Sequence, residues 1–168
     1  PADPPSGKVP PGSGPRHLAI SPCGDFLYVN NEMGMSVSVF GRNRETGALR
    51  LLQTICTLPD GTPNEGSTTS AIAMNPTGRW LYVSNRGHNS IAVFEIQPDG
   101  KLRPVQITPA TVRKPREFTI DPSGAWLVVG GQEDGAIVSM KINDSDGTLT
   151  PVDRLATASA PVSFSFLP

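Results

Sequence analysis

Three arginines, Arg16, Arg86 and Arg116, stand at comparable places in a chain of 168 residues whose net charge is only −1. Close to them in sequence lie a carboxylate, Glu32, the histidines His17 and His88, and the amides Asn31, Asn85 and Gln132. Guanidinium groups gathered in one cleft suit an anionic ligand, because their planar fork gives paired hydrogen bonds to a carboxylate or phosphate. A carboxylate or a neutral imidazole in that cleft could take a proton from water. The sequence leaves His17 open as a base, a donor to the ligand or a structurally satisfied histidine. Glu32 reads either as a proton acceptor or as a group that orients the arginines, since neighbouring cations weaken a carboxylate as a base.

A repeat supplies the means of bringing these residues together. PRHLAISPCGDFLYVNNEMGMSVSVF from Pro15, SAIAMNPTGRWLYVSNRGHNSIAVF from Ser70 and PREFTIDPSGAWLVVGGQEDGAIVSM from Pro115 align with one another. Their Pro-x-Gly turns, starting at Pro22, Pro76 and Pro122, are 54 and 46 residues apart, and a polar insert from Pro59 to Ser70 lengthens the first period. Each repeat reads as four short strands, a to d; in the first these are His17–Ile20, Phe26–Asn30, Ser36–Phe40 and Leu49–Thr54. Val, Ile, Leu, Phe and Tyr fill the runs, while Gly, Pro, Asn and Asp fill the gaps. Four strands recurring at this period predict the blades of an all-β β-propeller. A β-sandwich is the alternative, although it needs no repeat.

Hairpin geometry then fixes the site. Strands a and b are antiparallel and joined at the Pro-x-Gly turn, so the start of a lies beside the end of b, away from that turn. If a and b are the inner strands, Arg16, His17, Asn31 and Glu32 meet Asn85, Arg86, Arg116 and Gln132 at one mouth of a central channel. Strand alternation means that neighbours such as Arg16 and His17 need not point the same way.

The remaining features are mostly exclusions. Charged residues make up 17% of the chain, with no basic surplus to hold nucleic acid. No apolar run is long enough for a transmembrane helix, and the opening PADPPSGKVPPGSGP is not a signal peptide. Cys23 and Cys56 read as unpaired thiols. HExxH, CxxC, Walker and GxSxG patterns are absent, so no metal or cofactor is expected. Residues 1–168 read as one partial propeller, with 1–14 a Pro/Gly-rich loop leading into the first blade. The closing APVSFSFLP parallels strand a of a fourth repeat, Pro161–Phe164 matching Pro115–Phe118. Three blades and one strand do not close a ring. The expectation is a fragment completed by a missing N-terminal half or by a homo-oligomer.

GSGPRHLAISPCGDFLYVNNE, GRWLYVSNRGHNSIAVF, KPREFTIDPSGAWLVV with Gly131-Gln132, and APVSFSF resemble, in that order, the second half of the lactonase family of seven-bladed β-propellers. That family includes 6-phosphogluconolactonase-like and carboxymuconate cyclase-like members. The resemblance implies Arg16, Glu32 and Arg86 as cleft residues, with His17 and Arg116 beside them. Relatives often carry an acidic residue where Ala71 stands and Asn where Gly131 stands. The implied activity is hydrolysis of 6-phosphoglucono-1,5-lactone, a small anionic lactone, in the pentose phosphate pathway of the cytoplasm. Glu32, His17 and Arg86 would be catalytic, and Arg16, Arg116, Asn31, Asn85 and Gln132 would bind substrate. A muconate-lactonising cyclase or a non-catalytic binding propeller are the alternatives.

Overall fold

Short β-branched and aromatic runs interrupted by turn residues leave the backbone little choice but paired strands. The computed structural model describes residues 6–157 and 159–166. Its first sheet comprises β1 (Pro15–Ile20), β2 (Phe26–Asn31), β3 (Ser36–Arg42) and β4 (Leu49–Cys56). The second comprises β5 (Thr68–Met74), β6 (Trp80–Arg86), β7 (Ser90–Ile96) and β8 (Leu102–Pro109). The third comprises β9 (Pro115–Ile120), β10 (Trp126–Gly131), β11 (Ala136–Ile142) and β12 (Leu149–Ala156). Each is an antiparallel meander in chain order, the form of a propeller blade. β1 packs on β5 and β5 on β9, so the first strand of every blade is the inner one. The insert ends earlier than its composition implies, because Thr68, Thr69 and Ser70 already belong to β5.

Two apolar layers separate the blades. Tyr28, Val37, Val39, Ile72, Leu81 and Phe94 fill the first; Trp80, Tyr82, Ile91, Phe118, Leu127 and Met140 fill the second. The polar locks across these layers also repeat. Tyr28 Oη donates to the Gly100 carbonyl at 3.0 Å, and Tyr82 Oη to that of Gly147 at 3.0 Å. Gln53 pairs with the Leu102 backbone, accepting at 2.7 Å and donating at 3.0 Å. Gln106 does the same at Leu149, at 2.8 and 3.3 Å. Gly147 has φ +74°, and the Trp80 ring occupies the space a Cβ would need, so this turn excludes other residues.

The outer faces of the set are uncovered. Leu18 and Trp126 are 55% and 37% exposed, whereas their counterparts in the middle blade, Ile72 and Trp80, are 9% and 2%. Residues 161–166, expected to give a closing strand to a blade completed from elsewhere, make no ladder among the described residues, although Pro161 O and the Phe164 ring lie against Gly130. A strand needs a neighbour for its backbone groups, and none of the twelve strands pairs with this segment. Residues 6–14 contain turns and no strand, while 1–5 lie outside the described residues. Both cysteines are free and exposed. Among the described residues no helix is long and apolar enough to cross a membrane.

Replacing Tyr82 with Phe strands a buried carbonyl on Gly147. The expected cost is about 1–3 kcal/mol, read as a lower urea midpoint with an unchanged slope.

Candidate functional site

The end of strand b is where the repeats diverge. Asn31 faces Ser36 across the β2–β3 ladder, Asn85 faces Ser90, and Gly131 faces Ala136. The next residue is Glu32, Arg86 or Gln132, so one structural position carries a carboxylate, a guanidinium and an amide in successive blades.

Asn31 and Asn85 correct an expectation. Both are fully buried and turned into the blades rather than lining the mouth. Asn31 Nδ2 donates to Ser36 Oγ at 3.0 Å and to Ser38 Oγ at 2.9 Å. Asn85 Nδ2 donates to Thr57 O at 2.9 Å and to Ser90 Oγ at 3.0 Å. Alternation along the strand explains this: the next residue, Glu32 or Arg86, takes the other direction. In the third blade Gly131 has no side chain, and the Asp134 carboxylate fills the space a Cβ would need.

Glu32 joins two blades. Its Oε1 accepts from Arg86 Nη2, and its Oε2 lies 3.5 Å from Arg16 Nε. Arg86 is 8% exposed and also donates from Nη2 to Thr69 O at 3.2 Å, while its buried Nε has no partner among the described residues. Arg16 Nη1 donates to Ser70 O at 2.8 Å and lies 2.9–3.0 Å from both ring nitrogens of His17. A guanidinium has no lone pair to offer and carries a positive charge, so its closeness to the ring opposes protonation of the imidazole. Desolvation, followed by the Arg16 charge, holds His17 below the usual histidine value, with Glu117 and Glu32 pulling the other way. The charges of Arg86 and Arg116 reach Arg16 as well.

Arg16, His17, Glu32, Arg86 and Arg116 therefore form one electrostatic cluster. Gln132 occupies the equivalent position in the third blade, with its Oε1 buried and unpartnered among the described residues. His88 is exposed, and its Nδ1 lies 2.8 Å from Ser90 Oγ of the same blade.

Two contributors escaped the sequence reading. Glu117 is a second carboxylate acting on Arg16 and His17. It holds the register position of His17, which aligning PREF with PRHL reveals. Asn30 is fully buried, and its Oδ1 accepts from His17 N at 2.9 Å. Its Nδ2 donates to Thr69 Oγ1 at 2.9 Å and to Ser70 O at 3.0 Å, tying β1 to β5. Ser70 Oγ in turn donates to Arg116 O at 2.6 Å, tying β5 to β9. The sequence places Asn30 at the end of strand b but gives no sign of these contacts to the neighbouring inner strands.

The site thus presents guanidinium donors for an anion or a polarised carbonyl, with a neutral imidazole beside them. Among the described residues no three His, Cys, Asp or Glu side chains group closely enough to hold a metal. Followed by NMR, His17 is expected to titrate below the ordinary value of about 6.5. Arg16→Met should move it upward, by removing a cation that opposes protonation; no movement would show that Arg16 does not act on the ring.

A family model described as a lactonase, seven-bladed β-propeller, matches residues 2–166. The 6-phosphogluconolactonase of Bacillus subtilis strain 168 is 36% identical over 158 residues, covering 94% of this chain and 45% of that protein. That of Pectobacterium carotovorum is 33% identical, covering 93% and 47%. The periplasmic gluconolactonase of Pseudomonas aeruginosa superposes with a TM-score of 0.87 at 33% identity, covering 95% of this chain and 44% of that one. A protein from Lactobacillus plantarum superposes at 0.86 and 31% identity, covering 90% and 44%. The chain spans about half the length of the curated relatives it matches, corresponding to their C-terminal part. Three consecutive four-stranded blades, an arginine–carboxylate cluster at their inner edge and a match over nearly the whole sequence establish that this chain belongs to the lactonase family of seven-bladed β-propellers.

Proposed function

We propose that the protein is a lactone hydrolase that opens 6-phosphoglucono-1,5-lactone to 6-phosphogluconate. The observation that carries this reading is Glu32 held between Arg16 and Arg86, guanidiniums from adjacent blades, with a neutral His17 in contact with Arg16. Charge develops on the carbonyl oxygen when water adds to a lactone, and preorganised guanidinium donors stabilise that oxyanion. His17 takes the proton from the attacking water. The ring C–O bond then breaks, and the proton passes from His17 to the departing ring oxygen, giving a hydroxyl and a carboxylic acid that releases its remaining proton to solvent. Both Glu32 oxygens face arginines, which suits it to aligning them better than to acting as the base. The names of the Bacillus and Pectobacterium relatives support this substrate.

The same reading puts the reaction in the pentose phosphate pathway and, since its substrate is a sugar phosphate, in the cytoplasm. Further blades cover the uncovered faces at Leu18 and Trp126. Relatives about twice this length favour blades of the same polypeptide over those of a second copy.

In the full-length protein, Glu32→Gln and Arg86→Ala should each lower kcat/KM for the phosphorylated lactone by at least about tenfold. Product formation is followed with a 6-phosphogluconate dehydrogenase couple. Unchanged rates would remove these residues from the mechanism, and turnover of a muconate instead would replace the substrate class.

A further inference from the structure

Arg86 faces two spaces. One holds Glu32; the other is a separate pocket of about 360 Å³ whose walls include Thr68, Gly87, Asn89, Lys114 and Glu133. That volume falls within the range of small-molecule sites, about 300–1,000 Å³. Two larger grooves lie at the opposite ends of the sheets, one beside Ser123 and Gly124 and the other beside Asp25 and Phe26, away from the arginine cluster.

The pocket is built by backbone constraints. Gly87 has φ +85°, and a Cβ there would overlap the Gly66 carbonyl, so the polar insert rests directly on the turn and forms one wall. Lys114 also adopts a left-handed backbone, φ +56°, a conformation that non-glycine residues rarely hold without outside support. The support is visible: Lys114 N donates to Asn89 Oδ1 at 2.9 Å, and its carbonyl accepts from Gln132 N at 3.1 Å. Lys114 thereby lines the same pocket as Arg86, whose buried Nε has no partner among the described residues.

Arg86 keeps Glu32 on its other side, and within the pocket Lys114 meets the carboxylate of Glu133, with Oε1 3.4 Å from Lys114 Nζ. Both side chains are about half exposed, and such a pair contributes little. A phosphate offers Lys114 and Arg86 shorter, charge-assisted bonds. We infer that this pocket is the subsite for the phosphate of the lactone substrate, with Lys114 exchanging Glu133 for that phosphate. A single ligand lying across Arg86 would place its lactone by Glu32 and its anionic tail by Lys114. The inference rests on the activity proposed above only for the identity of the lactone; recognition of the anion stands separately.

The test measures calorimetric binding of 6-phosphogluconate, gluconate and inorganic phosphate to the full-length protein. Lys114→Gln should weaken 6-phosphogluconate about tenfold with little change for gluconate, and Lys114→Arg should keep most of the affinity. Glu133→Gln should tighten 6-phosphogluconate about threefold, a sign that general damage to the fold does not produce. Inorganic phosphate should compete with 6-phosphogluconate in the parent protein and lose that effect in Lys114→Gln. Equal weakening of gluconate, or no opposite effect at Glu133, would overturn the subsite. Lys114-dependent binding without any lactone opening would sink the proposed activity and leave the subsite standing. Lactone opening whose preference for the phosphorylated form ignores both substitutions would do the reverse.

Discussion

A carboxylate shared by two guanidiniums from different blades ties the chemistry to the architecture. Arg86 is almost wholly enclosed, and an enclosed cation without a counter-charge is costly. Glu32 supplies that counter-charge from the neighbouring blade and also meets Arg16. The geometry is therefore only as good as the register between β1, β5 and β9. Asn30 and Ser70 set that register through side-chain bonds to backbone groups of adjacent inner strands. Since Ser70 O accepts from both Asn30 and Arg16, the bond that aligns the blades also aims the guanidinium.

The repeat divides into positions that stay and positions that change. Tyr28 and Tyr82, Gln53 and Gln106, and Gly100 and Gly147 make the same cross-blade contacts in successive blades. Met35, Asn89 and Gly135 all carry a left-handed backbone just before the third strand of their blade. Glu32, Arg86 and Gln132 differ, as do His17, Ala71 and Glu117. A framework repeated without variation would bring like charges together at the axis. Changing one inner position from blade to blade converts that repulsion into a paired cluster.

The four-strand period, the turns and the inner placement of the first strand were all legible, because composition and alternation act locally. Arg16, Glu32 and Arg86 could be grouped from hairpin geometry alone. Asn31 and Asn85 could not be placed, since a one-residue difference along a strand reverses direction, and their amides found hydroxyls on the next strand. Pro161–Phe164 carries strand composition but no ladder, which shows that propensity without a pairing partner does not make a strand. Lys114 and Asn30 stayed hidden because their roles depend on contacts across blades that no local pattern records.

The polar groups at the edges of this cluster are the ones free to vary. The central Arg16–Glu32–Arg86 contact presents guanidinium donors that do not distinguish one carbonyl or anion from another. What differs around it is the insert carried on Gly87 and the loop that sets Lys114 opposite Glu133. Neither belongs to the blade framework, so both can change without disturbing the interblade locks. The third blade shows this freedom: Gly131 and Ala136 replace the Asn–Ser pair of the other blades, and Asp134 occupies the vacated space. That exchange leaves the strand ladder intact while altering the polar lining next to Gln132. A propeller blade can thus hold its packing fixed and still present new polar groups to whatever binds at the axis.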